Sequence, residues 1–272
     1  MQCAKAQLLM LHTFDSIPVR ACELDLPASV PWGTKNIKPS QLGVSQFEKG
    51  LQVRGYTRHA ITKVLDALLI AIELEQHVEP RRIGGSALMH WYSVLARLLQ
   101  TEEVKSADTL IAGVLHDVVE DINSILGKVS HADKVGIIMH LTSRDVGLLV
   151  DMVTKLPSNR PRHEMNQREE EQYLRTQQYS RLEMYPELAS RAVYIKSADR
   201  LDSFATLPFR VEHTLNNKGE SHRDFIVRKL EETRRYFFEY VSRHTSQRHT
   251  QAFMQEFLDC CKQHKVNPGV FY

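Results

Sequence analysis

The stretch Gly113-Val114-Leu115-His116-Asp117-Val118-Val119-Glu120-Asp121 constrains this chain more than any other. An apolar run arrives at an adjacent His-Asp pair, and two further carboxylates follow one helical turn later. Residues four apart share a face of an α-helix. The spacing therefore predicts a helix with His116 above Glu120 and Asp117 above Asp121. Taken alone, such a segment also fits an amphipathic helix whose acidic end faces water. A metal-binding or acid/base role requires further ligands elsewhere in the chain.

At 272 residues the chain can bury a sizeable core in one large domain or two small ones. A net charge of +2 gives no global field for nucleic acid or a membrane surface. Cys3, Cys22, Cys260 and Cys261 form no CxxC pair, and a reducing, cytoplasmic compartment is the simplest fit. No apolar run approaches the roughly 20 residues of a membrane span. Gln7–Leu11 is too short, and too poor in cleavage signals, to read as a signal peptide.

Along the chain, prolines break residues 1–42 into expected loops, an N-terminal extension reaching to about residue 50. Ile61, Val64, Leu65, Leu68, Leu69 and Ile72 recur at helical spacing, in a helix expected to end before Pro80. After the loop Pro80–Ser86, a helix carries His90 near its beginning and Trp91, Val94, Leu95 and Leu98 on its apolar side. Ser106 and Asp108 mark the start of the helix leading to His116. Helices follow at about 132–141 and 143–155. The polar 160–185 stretch, with Arg168-Glu169-Glu170-Glu171, reads as a largely solvated helix or insertion. Pro186 opens a helix through Ala192, Ile195, Ala198, Leu201 and Phe204. Helices at about 222–243 and 246–264 complete an all-α chain. The expected domain covers 51–243, with 244–272 forming a C-terminal helix packed on or beside it.

Four features then converge. His90 begins a helix after a glycine-containing loop, and His116 and Asp117 are adjacent. Asp199 interrupts the apolar-periodic helix in Ile195-Lys196-Ser197-Ala198-Asp199-Arg200-Leu201. A mid-helix carboxylate beside Ala198 and Leu201 is costly to bury without a partner or a metal. Two imidazoles and two carboxylates suit Mn²⁺ first, with Fe²⁺ or Zn²⁺ as alternatives, and leave positions for water and a phosphate.

The order and wording of these pieces resemble the HD-domain metal-dependent phosphohydrolases, and more narrowly the hydrolase domain of the RelA/SpoT family. That domain removes pyrophosphate from the 3′ position of the guanosine alarmones ppGpp and pppGpp. The matching pieces are Arg81-Arg82-Ile83-Gly84 through His90, Val114 through Asp121, Val146 through Leu156, and Ile195 through Ser203. They lie in order within about residues 57–240. The resemblance implies metal ligands at His90, His116, Asp117 and Asp199, and a water-handling pair at Glu120 and Asp121. It implies phosphate or nucleotide contacts at Arg81, Arg82, Lys155 and Ser203. A guanidinium fork suits bidentate contact with phosphate oxygens. The implied partner is a nucleotide substrate, with no synthetase region following and the oligomeric state left open.

The chain also departs from the family pattern. Ser203 stands where the family has an asparagine, Trp91 where it has a proline, and Ala87 where it has a tyrosine. Asp202 replaces a histidine or tyrosine, and the connection before Asp199 is longer. These departures bear on the substrate and leave every implied ligand in place. Two other functions fit the same residues. One is an HD phosphohydrolase acting on a different nucleotide or phosphorylated cofactor. The other is a non-catalytic nucleotide-binding module, against which the intact Glu120-Asp121 pair speaks.

Overall fold

The computed structural model describes residues 44–75, 87–121, 129–156, 165–206 and 222–269. Their regular structure is helical throughout, with no strand among the described residues, so the chain is all-α. None of the described helices is long and apolar enough to cross a membrane. The chain divides into two compact units. Among the described residues, one holds those up to Thr154 and the other those from Lys155 onward. The division at Thr154 falls inside the 51–243 segment expected to be a single domain.

The first unit comprises α1 (Val44–Val53), α2 (Arg58–Glu75), α3 (Ala87–Gln100), α4 (Ala107–Leu115), α5 (Val118–Asp121), α6 (His131–Leu141) and α7 (Arg144–Val153). Helix α4 is its axis. Every residue from Thr109 to Leu115 is buried, and the helix packs against α2, α3 and α7. A helix apolar all round needs neighbours on all sides, and the Leu110–Leu115 run explains that central place. Helix α1 lies in the segment assigned to the N-terminal extension. Its Phe47 and Leu51, four residues apart, are fully buried, so this stretch belongs to the core.

Loops in this unit are held by side chains that satisfy stranded backbone carbonyls. The Arg54 guanidinium donates to the carbonyls of Thr101 and Val104, both at 2.9 Å, and the Tyr56 hydroxyl donates to Val104 at 3.2 Å. These bonds tie the α1–α2 turn to the α3–α4 loop. Ser130 and Ser143 cap α6 and α7 by accepting from the amides of Asp133 and Val146. His131 Nε2 lies 2.6 Å from Asp151 Oδ1 and links the two helices.

The second unit comprises α8 (Gln167–Tyr173), α9 (Ala189–Thr206), α10 (His222–Glu232), α11 (Phe238–His244) and α12 (Gln247–Gln263). Asn166 and Glu169 form a reciprocal capping box at the start of α8. The chain then widens into a π-helical turn over Leu174–Tyr179, followed by a 3₁₀ turn over Ser180–Glu183. Leu174, Gln178, Tyr179 and Leu182 are buried there, so one side of the stretch expected to be largely solvated reaches the core. The glutamate run at 169–171 stays at the surface or only partly covered, and the buried positions come after it. A second π turn, Thr233–Phe237, separates α10 from α11. Phe253 of α12 sits edge-on to Phe237 and Phe238, with Phe204 of α9 tilted against it, at centroid distances of 5.6, 5.4 and 6.1 Å. That cluster locks α12 onto α9 and α11.

Two glycines on the α6–α7 pair allow a paired test. A Cβ at Gly147 would lie 2.1 Å from Met139 Cγ and 3.2 Å from the Met139 backbone nitrogen, whereas one at Gly136 meets nothing within 4 Å. Gly147→Ala is expected to destabilise the chain by about 1–2 kcal/mol, because overpacking outweighs the gain in helix propensity. Gly136→Ala is expected to stabilise it by about 0.5–1 kcal/mol. Urea midpoints of the two variants moving in the same direction would contradict this packing.

Candidate metal centre

The expected continuous helix through His116 and Asp121 is interrupted. Helix α4 ends at Leu115, the short α5 starts at Val118, and His116-Asp117 form the turn between them. The Glu120 amide donates to the Asp117 carbonyl, three residues back, at 2.9 Å. The helix expected to stack His116 over Glu120 is therefore not continuous between them. Two carbonyls beside the break find donors in side chains. Thr154 Oγ donates to the His116 carbonyl at 3.3 Å, and Lys134 Nζ lies 3.4 Å from the Val119 carbonyl.

The turn brings three polar side chains together. His116 Nε2 lies 3.1 Å from His90 Nε2 and 3.2 Å from Asp117 Oδ1, while His90 Nε2 lies 3.3 Å from Asp117 Oδ2. Both imidazoles are buried, and the carboxylate remains partly accessible. Adjacent ligands on one cation, with bonds of about 2.1 Å at octahedral or tetrahedral angles, stand about 3.0–3.4 Å apart. All three spacings fall in that interval, the two histidines meeting different oxygens of Asp117, and the nitrogen and carboxylate donors are compatible with a divalent cation.

A further contact fixes the tautomer of His116. Its Nδ1 lies 2.8 Å from the Gly113 carbonyl. A carbonyl only accepts, so Nδ1 carries the proton and Nε2 presents its lone pair towards His90 and Asp117. A backbone acceptor on the far nitrogen is the usual way to orient a ligating histidine. Burial by itself raises the Asp117 pKa, but the adjacent imidazoles His116 and His90 outweigh it and hold the carboxyl well below the usual carboxylate range.

Glu120 lies on α5 and is half-buried. Asp121 ends the same helix. Arg81 and Arg82 lie outside the described residues. Lys155, Asp199 and Ser203 belong to the second unit.

In that unit Asp199 sits mid-way along α9, with Lys196 Nζ 2.7 Å from its Oδ2. Its neighbour Arg200 is buried, and so is Glu232. The Arg200 guanidinium donates to Glu232 Oε1 at 3.0 Å and to the Tyr179 hydroxyl at 2.8 Å. Tyr179 and Gln178 donate to the same carboxylate oxygen at 2.9 and 3.3 Å. Burial would lower the Arg200 pKa, yet Tyr179, Glu232 and Asp199 raise it overall. This network joins α9 to both π turns and holds the helix that carries Asp199. The sequence gives one sign of it, an arginine directly after Asp199 in a helix otherwise apolar by period. Its partners at 178, 179 and 232 are too distant in sequence to be read.

A scan against family models finds no match for this chain, and a search of curated proteins finds none either.

Two outcomes follow. Glu232→Ala leaves a buried guanidinium and two further donors without their shared acceptor, and is expected to cost about 3–5 kcal/mol. Thermal and urea unfolding would read that loss, and a change within 1 kcal/mol would refute the network as drawn. For the centre itself, Co²⁺ or Mn²⁺ is expected to bind the purified chain at one equivalent. His116→Ala and Asp117→Ala are each expected to weaken uptake by 10-fold or more (order of magnitude from). Calorimetric titration showing equal uptake by the wild type and both variants would eliminate the centre.

Proposed function

We propose that this chain is a metal-dependent phosphohydrolase whose substrate is a guanosine alarmone, from which it removes the 3′ pyrophosphate. The observation that carries the proposal is the convergence of His90, His116 and Asp117 at ligand spacing, with the His116 tautomer set by Gly113. In this reading Asp199 is the fourth ligand, an assignment that rests on the resemblance to the HD-domain family. Mn²⁺ is the first choice of metal, ahead of Fe²⁺ and Zn²⁺. A cytoplasmic location, with no nucleic-acid partner, belongs to the same reading.

A divalent cation held there would supply Lewis acidity that lowers the pKa of a bound water towards neutrality. The chain's own residues supply the remaining requirements. His90 and His116 give neutral nitrogen donors, and Asp117 gives a negative charge already ionised in the folded protein. Glu120 serves as the group that orients the attacking water and takes its proton, with Asp121 in support. Arg81, Arg82 and Lys155 neutralise phosphate oxygens, and Ser203 contacts the nucleoside.

A second reading keeps the chemistry and changes the substrate. Ser203 in place of the family's asparagine, together with Trp91 after His90, favours an HD phosphohydrolase for another nucleotide or a phosphorylated cofactor. Trp91 is buried, and its Nε1 has no hydrogen-bond partner among the described residues.

A substrate panel separates the two. The Mn²⁺-loaded chain is to be offered ppGpp, pppGpp, 3′-phosphorylated cofactors and deoxynucleotides, with Asp117→Ala as the blank. Turnover of ppGpp is expected, with Glu120→Gln slower by about 100-fold or more while metal uptake is unchanged. Turnover of another nucleotide and none of ppGpp would replace the alarmone with that substrate. No turnover of any member, despite bound metal, would leave only the binding-module reading.

A further inference from the structure

Lysine is among the residues least often buried, yet Lys134 is only 6% exposed. It lies on the inward side of α6 with Val135, Ile137 and Ile138, all of them buried. Burial lowers its pKa, so this place disfavours the cation, and an apolar side chain of similar length would fill it without that penalty. The ammonium reaches a backbone oxygen in α5. Nζ donates to the Val119 carbonyl at 3.4 Å.

That carbonyl shares a peptide plane with the Glu120 amide, because the C=O of one residue and the N–H of the next form one rigid unit. The same plane is held at its other edge, where the Glu120 amide donates to the Asp117 carbonyl at 2.9 Å. Helix α5 has only four residues. So short a segment closes too few internal bonds to offset its own ordering, and tertiary contacts must hold it. Val118 and Val119 supply some of them by burial, while Glu120 stays half-buried. With both edges of the 119–120 plane engaged, the direction in which Glu120 leaves the backbone is set relative to Asp117.

We propose that Lys134 is a positioning residue for the hydrolysis, holding the peptide plane before Glu120 so that this carboxylate is aimed at the attacking water. The proposal rests on the reading of Glu120 as the group that handles that water. Lys134 itself touches neither substrate nor metal in this assignment, and its effect passes through Glu120. The residues assigned to the metal precede α5 in sequence, so cation binding and the aim of Glu120 are separable.

The test is a double-mutant cycle on the Mn²⁺-loaded full chain, joined to amide exchange followed by NMR. Lys134→Met keeps the length of the side chain and removes the donor. It is expected to lower kcat by about 10- to 100-fold, with KM and Mn²⁺ affinity each within about threefold of wild type. In a Glu120→Gln background the same substitution should change kcat by less than about twofold, because residues that act as one unit do not add. The Glu120 amide should exchange about 10-fold faster in Lys134→Met, while the amides of α4 keep their wild-type rates. The proposal is overturned by an unchanged kcat, by a loss that persists in full in Glu120→Gln, or by an equal fall in Mn²⁺ affinity. Should the wild type turn over no nucleotide of the panel, the phosphohydrolase reading fails by itself and exchange decides for Lys134. Unchanged exchange at Glu120 then overturns its hold on α5, and faster exchange confined to α5 upholds it. Should Lys134→Met fail to fold by circular dichroism, Lys134→Leu takes its place under the same criteria.

Discussion

The hydrogen bond from His116 Nδ1 to the Gly113 carbonyl is the constraint on which the candidate centre depends. The Gly113 carbonyl lies in the last turn of α4, which stops at Leu115, and a carbonyl there has a lone pair to offer a side chain. The end of the helix and the orientation of the imidazole therefore meet in one turn. The burial of α4 among α2, α3 and α7 makes the arrangement rigid.

The second unit solves a different problem. It buries an arginine and a glutamate, and a pair of that kind is favourable only when the remaining donors and acceptors are also satisfied. Tyr179 and Gln178 provide for Glu232 in this way. Both arise from a π turn, and Glu232 immediately precedes the other. Such turns are rare and gather at functional places. Here they bring the partners of α9 together beside Asp199, so a costly polar core and two irregular turns serve the same helix.

Much of this was legible in the sequence, and the remainder was hidden for physical reasons. The all-α class followed from apolar residues at helical spacing, as in Ile61, Val64, Leu65 and Leu68. The grouping of His90 with His116 and Asp117 came from the family resemblance, because the 25 residues between the two histidines carry no spacing rule. The break at His116 gave no sign, since neither proline nor glycine marks it. Helix α1 was overlooked although Phe47 and Leu51 stand four apart, because the prolines before residue 40 drew the boundary too late. The buried half of the 160–185 stretch was hidden behind its charge run. Glu232 looked like any helix-surface glutamate, and only tertiary contact reveals it as core.

The π turn between α10 and α11 makes the two helices tolerate different partners along one rod. A π turn holds one residue more than an α turn of the same height, which rotates everything beyond it by about 100°. Helix α10 can therefore bury Ile226 and Leu230 in one direction, while Phe238 of α11 meets Phe253 and Phe257 in another. Losing one residue between Thr233 and Phe237 would turn the rod back into a plain helix. The aromatic seam and the buried side of α10 would then be out of phase, and the chain could keep only one of them in register. The length of this short turn thus acts as a phase setting for the second unit.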